Sequence, residues 1–339
     1  MHMINIKSKY YYTRLSGESR RIYDCIYTAW ANRVREPTFN VNPLSKKVDV
    51  QKIIKFIHWD NPGLFYVDFS KMMITGSLSK TTIQSKFILS DKQIDDAERQ
   101  LHQIIQAILS ASQLSGRTKM DAYQREIALH DMLIKKISYD HSGISDTNTT
   151  IVGGLLHKKA VCEGYAKTFR LLCDRVRLSC IYIPGTAEPY EKPRENHSWN
   201  IVKLDGVCSH VDVTWDSTMR VGSGACYDHF NLTDDDICRD HEWDRALAPR
   251  CSSTANNFFY RSGCIVRNDN ELRDIIVKHN KIGCKNFHIM LAYGGFEHVK
   301  LMQKINDILS NYPSSGSTQY ETLSVRYNPV RKIAEVILS

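Results

Sequence analysis

Val161-Cys162-Glu163-Gly164-Tyr165-Ala166 opens a segment that continues through Asn196-His197-Ser198-Trp199-Asn200 and closes on His210-Val211-Asp212-Val213-Thr214-Trp215-Asp216. A cysteine, a histidine and an aspartate follow in that order, each on a separate expected element. Together they are the residue set of a thiol nucleophile, a base and a carboxylate that orients the base. Over 162–178, Tyr165, Phe169, Leu172, Cys173 and Val176 recur at three- and four-residue steps, which predicts a helix with one buried stripe. Cys162 stands at its start, where the helix dipole and unpaired N–H groups favour a thiolate and an oxyanion. Gly164, two residues on, either leaves room for a substrate or makes a close packing contact.

Residues 181–184, 198–204 and 207–215 read as strands, the last two joined by Asp205-Gly206, among the strongest short hairpin turns. A two-residue turn sets Leu204 opposite Val207, and, further along, Trp199 opposite Asp212 and His197 opposite Thr214. Side chains alternate along a strand, so His197 and Asp212 fall on one face as diagonal neighbours, ~7–8 Å apart at Cα. A one-residue slip would send Asp212 to the other face. Asp216 has the wrong parity and reads as a turn cap or a backbone-amide partner.

Outward from this segment, 16–33 reads as a helix with Ile22, Cys25, Ile26, Ala29 and Trp30 on one face. A short helix over 50–57 follows, then a turn at His58-Trp59-Asp60-Asn61-Pro62-Gly63 and three short strands over 64–69, 72–77 and 82–89. Ser90 and Gln93 form a capping box that opens a helix to about Ser112. A second amphipathic helix covers 121–137, with Ile127, Leu129, Met132, Leu133 and Ile137 as its core residues. Beyond Cys264 the order is strand 264–267, helix 269–281, strand 286–292, helix 296–311, then strands 318–327 and 332–338. These patterns divide the chain into an N-terminal α/β region (1–115), a central core (116–262) and a small C-terminal α/β unit (263–339).

At 339 residues, with 42% hydrophobic and 24% charged residues, the chain can bury a sizeable core. Its 45 basic and 37 acidic residues leave a net charge of +8, and the basic residues are spread in short groups such as Lys46-Lys47 and Lys135-Lys136. That reads as solvated surface rather than a nucleic-acid interface. No apolar run reaches the ~20 residues that span a bilayer, and residues 1–12 lack a secretory signal's apolar centre, so the cytoplasm is the expected location, with a specialised export route left open. The ten cysteines contain no C-x-x-C pair, so neither a disulfide framework nor a zinc site is expected.

In the three motifs around Cys162, His197 and Asp212, and in Tyr227-Asp228-His229-Phe230-Asn231 after them, the chain resembles bacterial members of the transglutaminase-like superfamily of papain-type thiol enzymes. Asp60-Asn61-Pro62-Gly63-Leu64-Phe65-Tyr66 and Tyr139-Asp140 extend the similarity over roughly 16–260. The resemblance implies an α+β fold, its central helix packed on an antiparallel sheet. It also implies Cys162 as nucleophile, His197 as base and acid, and Asp212 as orienter, acting on protein or peptide amides without metal or cofactor. Gly164, Tyr165, Trp199, Asn200 and Tyr139 are the candidate substrate-binding residues. Leu155-Leu156-His157-Lys158-Lys159-Ala160 lacks the side-chain amide that papain-like enzymes place upstream of the cysteine. A second oxyanion donor is therefore sought in a backbone N–H, Tyr139 or Asn200. Asp234-Asp235-Asp236 lacks the spaced ligands of a calcium loop and reads as a helix start. The alternative is a catalytically silent scaffold that binds a protein partner. Substrate, acceptor and oligomeric state stay open.

Overall fold

The computed structural model describes residues 9–42, 48–111, 120–188, 193–220, 224–294, 296–312 and 322–339; the expected helix end at Ser112, the 115/116 boundary and the strand start at Thr318 lie outside these residues. The N-terminal region comprises α1 (Tyr10–Thr13), α2 (Gly17–Ala31), β1 (Thr38–Phe39), α3 (Val50–Asp60), β2 (Val67–Gly76), β3 (Thr81–Phe87) and α4 (Asp91–Ala111). The capping box forms: Ser90 N–H donates to Gln93 Oε1 at 2.9 Å and Gln93 N–H to Ser90 Oγ at 3.4 Å.

Three local expectations change. His58, Trp59 and Asp60 continue α3 instead of turning, with Asp60 buried and accepting the N–H of Tyr12 at 2.8 Å. The three strands expected over 64–89 are two, because a register shift between Asp68 and Met73 interrupts the alternation within β2. Cys25 is exposed, and Tyr23 and Tyr27 share the buried face of α2 with Ile22, Ile26 and Trp30.

The central part comprises α5 (Ala122–Lys136), β4 (Ser138–Tyr139), β5 (Lys159–Ala160), α6 (Cys162–Arg175), β6 (Ser179–Ala187), β7 (Glu195–Leu204), β8 (Val207–Val211), α7 (Val213–Met219), β9 (Phe230–Leu232), α8 (Asp234–Ile237), β10 (His241–Trp243) and α9 (Phe258–Ser262). Five strands form a sheet in the order β10-β6-β7-β8-β9, antiparallel throughout, with α6 lying against β6 and β7. Asp205 (φ 47°) and Gly206 (φ 89°) make the two-residue turn, pairing Leu204 with Val207 and Asn200 with Val211 as the sequence implied. The strand nevertheless stops at Val211. Asp212 caps α7, so residues 213–215 are helical, not extended.

Every residue of α6 from Gly164 to Cys173 is buried, including Lys167, Thr168 and Arg170. A stripe on one face suits a surface helix; this one is covered all round. The N-terminal region supplies the cover: Arg170 donates to Trp59 O at 2.6 Å and pairs with Asp60 at 3.5 Å. One hydrophobic cluster accordingly runs from Tyr11 to Cys251.

The C-terminal unit comprises β11 (Ile265–Val266), α10 (Asp269–Lys281), β12 (Asn286–Leu291), α11 (His298–Asn311), β13 (Leu323–Asn328) and β14 (Ile333–Leu338), with sheet order β11-β12-β14-β13. Phe287, Ile289, Val325 and Val336 meet α10 and α11 in a separate cluster. The opposite sheet face carries His288, Glu335 and Arg326 in register. Arg326 grips the buried Asp228 through two bonds of 2.8 and 2.9 Å and Glu335 through Nε at 3.0 Å. Among the described residues no helix is long and apolar enough to cross a membrane.

Candidate active site

The chain leading into Cys162 is held on two sides. Ser138 and Tyr139 pair in parallel with Lys159 and Ala160, and Val161 N–H donates to Asn148 O at 3.1 Å. Gly153 lets the two approach: a Cβ there would lie 2.5 Å from Thr147 O and 2.8 Å from Lys159 O. Val161 is the extended N-cap of α6, so Cys162 is its first helical residue and its N–H has no acceptor one turn back. Cys162 is partly exposed, whereas Cys173, Cys180, Cys226 and Cys251 are buried.

His197 on β7 places Nε2 2.7 Å from Asp212 Oδ2. Asp212 is fully buried and its carboxylate accepts four hydrogen bonds. Oδ1 takes the backbone N–H of Thr214 (2.9 Å) and Trp215 (3.2 Å), and Oδ2 takes His197 and, at 3.1 Å, His241 Nε2. Four donors saturate a carboxylate. Burial alone would raise the Asp212 pKa, but the His197 charge and the bonds from both imidazoles outweigh it and hold the group ionised. Burial likewise opposes the charged form of His197, yet Asp212, with a further hydrogen bond to Cys162, raises its pKa to about 10. With Nε2 committed to Asp212, Nδ1 is the nitrogen left to face the thiol. His197, Cys162 and Asp212 are thus brought together. The hairpin register does this even though Asp212 lies one residue past the strand.

The substrate-binding expectations fare differently. Gly164 faces inward, where a Cβ would sit 2.2 Å from Asn148 O and 2.9 Å from Ala160 Cβ; it is the packing contact rather than an opening for substrate. Tyr165 is buried, with its hydroxyl donating to Ile137 O at 2.7 Å. Trp199 is buried and donates to His210 Nδ1 at 3.0 Å. Asn200 spends its amide donors on Ala166 O and Ile181 O, at 3.1 and 3.2 Å, so it has none for an oxyanion. Asn200 is interior because it faces α6, and Trp199, on the other face of β7, is enclosed by His210, His241 and Trp243. Tyr139 is half-buried beside Ala160 and borders a cavity of about 660 Å³ with His141 and Arg220.

His241 is the residue sequence reading missed. It lies in a stretch, Asp240-His241-Glu242-Trp243, outside the elements expected from the sequence, whose last three residues form β10 against β6. Its Nδ1 meets Asp240 Oδ1 at 2.5 Å, and Asp240 also binds Arg331 from the C-terminal unit. The alternation of His241 and Trp243, both touching Trp199, was the available signal. Asp216, expected as a turn cap or a backbone-amide partner, is buried on α7 and accepts a backbone amide, His229 N–H at 2.9 Å, together with His130 Nε2 at 3.0 Å.

Three groups among the described residues set possible metal ligands within 4.8 Å of one another: His197, Asp212 and His241; His229, Asp240 and His241; and His210, Asp234 and Cys251. In the first, contacts of 2.7 and 3.1 Å are ordinary hydrogen bonds between ring nitrogen and carboxylate. In the third, His210 Nδ1 accepts the Trp199 N–H, so Nε2 carries the proton that a metal would have to replace.

Residues 111–215 match the family model described as the transglutaminase-like superfamily, a span that contains Cys162, His197 and Asp212. This part of the chain is similar to the transglutaminase-like superfamily. No curated protein matches the chain. Among solved structures, it is similar to a candidate cysteine protease from Cytophaga hutchinsonii, with 14% identity over 42% of this chain and 61% of that one, at a TM-score of 0.28. It is also similar to a TGase, with 11% identity over 53% and 50% of the two chains and a TM-score of 0.28. A third is menin, in a structure that reveals its binding site for Mixed Lineage Leukemia protein, with 12% identity over 68% and 53% and a TM-score of 0.27. The match covers 50% to 61% of these three proteins' own lengths.

Proposed function

We propose that the protein is a thiol-dependent acyl-transfer enzyme acting on protein or peptide amides. The observation that carries this reading is His197, bonded through Nε2 to the saturated, buried Asp212 and interacting with the Cys162 thiol. In the reaction His197 already holds the proton of the Cys162–His197 pair, and the Cys162 thiolate attacks the amide carbonyl carbon. The Cys162 N–H at the start of α6 stabilises the oxyanion. The C–N bond then breaks, His197 protonates the departing amine, and a thioester remains on Cys162. Water or an amine enters with His197 as base and releases the acyl group as an acid or a new amide. A silent scaffold would have no need of an ionised carboxylate, an imidazole and a thiol in contact.

Mass spectrometry of candidate proteins after incubation, with and without a primary amine, tests the proposal. A gain of about one dalton reports deamidation, cleavage a peptidase, and amine incorporation a transferase. Each should vanish in Cys162→Ala. A Cys162→Ala protein with unchanged turnover would overturn the assignment.

A further inference from the structure

A second cysteine–histidine pair lies in the C-terminal unit. His279, in the last turn of α10, is fixed on two sides: its ring stacks on Phe287 at 4.4 Å and 17°, and Nδ1 lies 2.9 Å from Ile275 O. A carbonyl only accepts, so Nδ1 carries the proton and Nε2 is left as the base. Cys264, the residue just ahead of β11, lines the same cavity wall as His279, and its thiol donates to Ser262 O at 3.8 Å. Burial by itself would raise that thiol's pKa; the interaction with His279 and the nearby Lys278 charge outweigh it and bring it below the ordinary value. The His279 pKa rises in return, chiefly through the same interaction.

The pair borders a cavity of about 450 Å³ walled by Tyr227 and Phe258 from the central part and by Lys278, Asn286 and His288 from the C-terminal unit. Two of these side chains hold a buried polar atom with no hydrogen bond, His288 Nε2 and Asn286 Oδ1. His288 is only 7% exposed. Its Nε2 lies 3.7 Å from Glu335 Oε1, beyond hydrogen-bond range, and burial lowers its pKa and so favours the uncharged ring. A buried polar atom left without a partner keeps its desolvation cost uncompensated. Two of them in the wall of one cavity, beside a base-assisted thiol, mark a place where a small molecule completes the bonding. Lys278 forms no ion pair among the described residues, which leaves a cation at the cavity for an anionic group.

We propose that this cavity is a second site, separate from Cys162, where Cys264 exchanges with a low-molecular-weight disulfide that carries a carboxylate. The Cys264 proton moves to His279 Nε2 and the thiolate attacks one sulfur of the disulfide. The S–S bond of the small molecule breaks as the new Cys264 S–S bond forms, and the departing thiolate takes the proton from His279. One disulfide is consumed and one made, so no outside oxidant is required.

The test uses the full chain carrying Cys162→Ala, with dithiobis(nitrobenzoate), a dianionic disulfide, and dithiodipyridine, a neutral one. Peptide mapping should show one thiol reacting at least about tenfold faster than the rest, located at Cys264. His279→Gln should slow it about tenfold with both reagents, and Lys278→Gln should slow the dianionic reagent alone. No fast thiol, a fast thiol mapped elsewhere, or an unchanged rate in His279→Gln would each overturn the proposal. Should His279→Gln fail to fold, the pH profile of the His279-containing protein decides. A Cys264 midpoint below the ordinary ~8.5 supports the site, and one at or above it refutes the site. Cys162 reactivity is read from its own peptide in the unsubstituted chain, so the two thiols succeed or fail separately.

Discussion

His241 Nε2 lies 3.1 Å from Asp212 Oδ2, the same oxygen that His197 approaches at 2.7 Å. The proposed orienter therefore serves two imidazoles, and the second is tied through Asp240 to Arg331 of the C-terminal unit. His241→Phe removes a donor from two buried carboxylates and is expected to cost about 1–3 kcal/mol in urea unfolding. With Oδ2 left to His197 alone, the imidazolium holds its proton to higher pH. The alkaline limb of Cys162 alkylation should move upward, a change that mere loosening of the fold does not produce.

Asp212→Asn is expected to lower turnover by roughly 10²–10⁴-fold while the fold survives, because an amide cannot hold the imidazolium that forms during acyl transfer. Steady-state rates on any amide substrate, beside circular dichroism of the variant, check this.

The pH dependence of stability follows from the same pair. His197 is raised from an ordinary ~6.5 to about 10, so its contribution is complete below ~6.5 and is lost as pH climbs toward 10. Asp212 is depressed, so its contribution is present above an ordinary ~3.9 and is lost as pH falls below it. Urea unfolding should show the pair's stabilisation greatest near pH 4–6.5 and fading by pH 10. A difference between wild type and His197→Gln that stays flat from pH 6 to 10 would contradict it.

Glu126 behaves oppositely. It is wholly buried on α5, receives among the described residues only the Asn231 amide, at 2.7 Å, and is pushed by burial up to about 7. Its protonated form suits the fold, so this contribution is full below ~4.3 and is lost as pH rises through 7. Glu126→Gln should raise the melting temperature above pH 7, by the equivalent of about 1–3 kcal/mol, and change little at pH 4.

Gly164→Ala sets a methyl against Asn148 O and Ala160. Overpacking of a tight interior costs about 1–3 kcal/mol, so thermal unfolding should shift down. Unchanged stability with lost activity would instead restore Gly164 to the substrate side.

Much of this arrangement was legible without coordinates where the physics is local. Helix periodicity put Cys162 at the start of α6, the Asp205-Gly206 turn fixed the register that sends His197 and Asp212 to one face, and Ser90 and Gln93 marked the start of α4. Each depends on residues a few positions apart, and backbone geometry leaves them little choice. Tertiary structure decided what local pattern cannot encode. Trp199, Tyr165, Asn200 and Gly164 are interior because His241 and Trp243, Ile137, Ala166 and Asn148 respectively lie against them, and burial depends on such distant partners. His241 reaches Asp212 only because β10 joins the sheet edge beside β6, 29 residues further along the chain than the carboxylate it binds. Long-range packing also filled α6 with buried polar residues, since Arg170 finds Trp59 and Asp60 across more than a hundred residues.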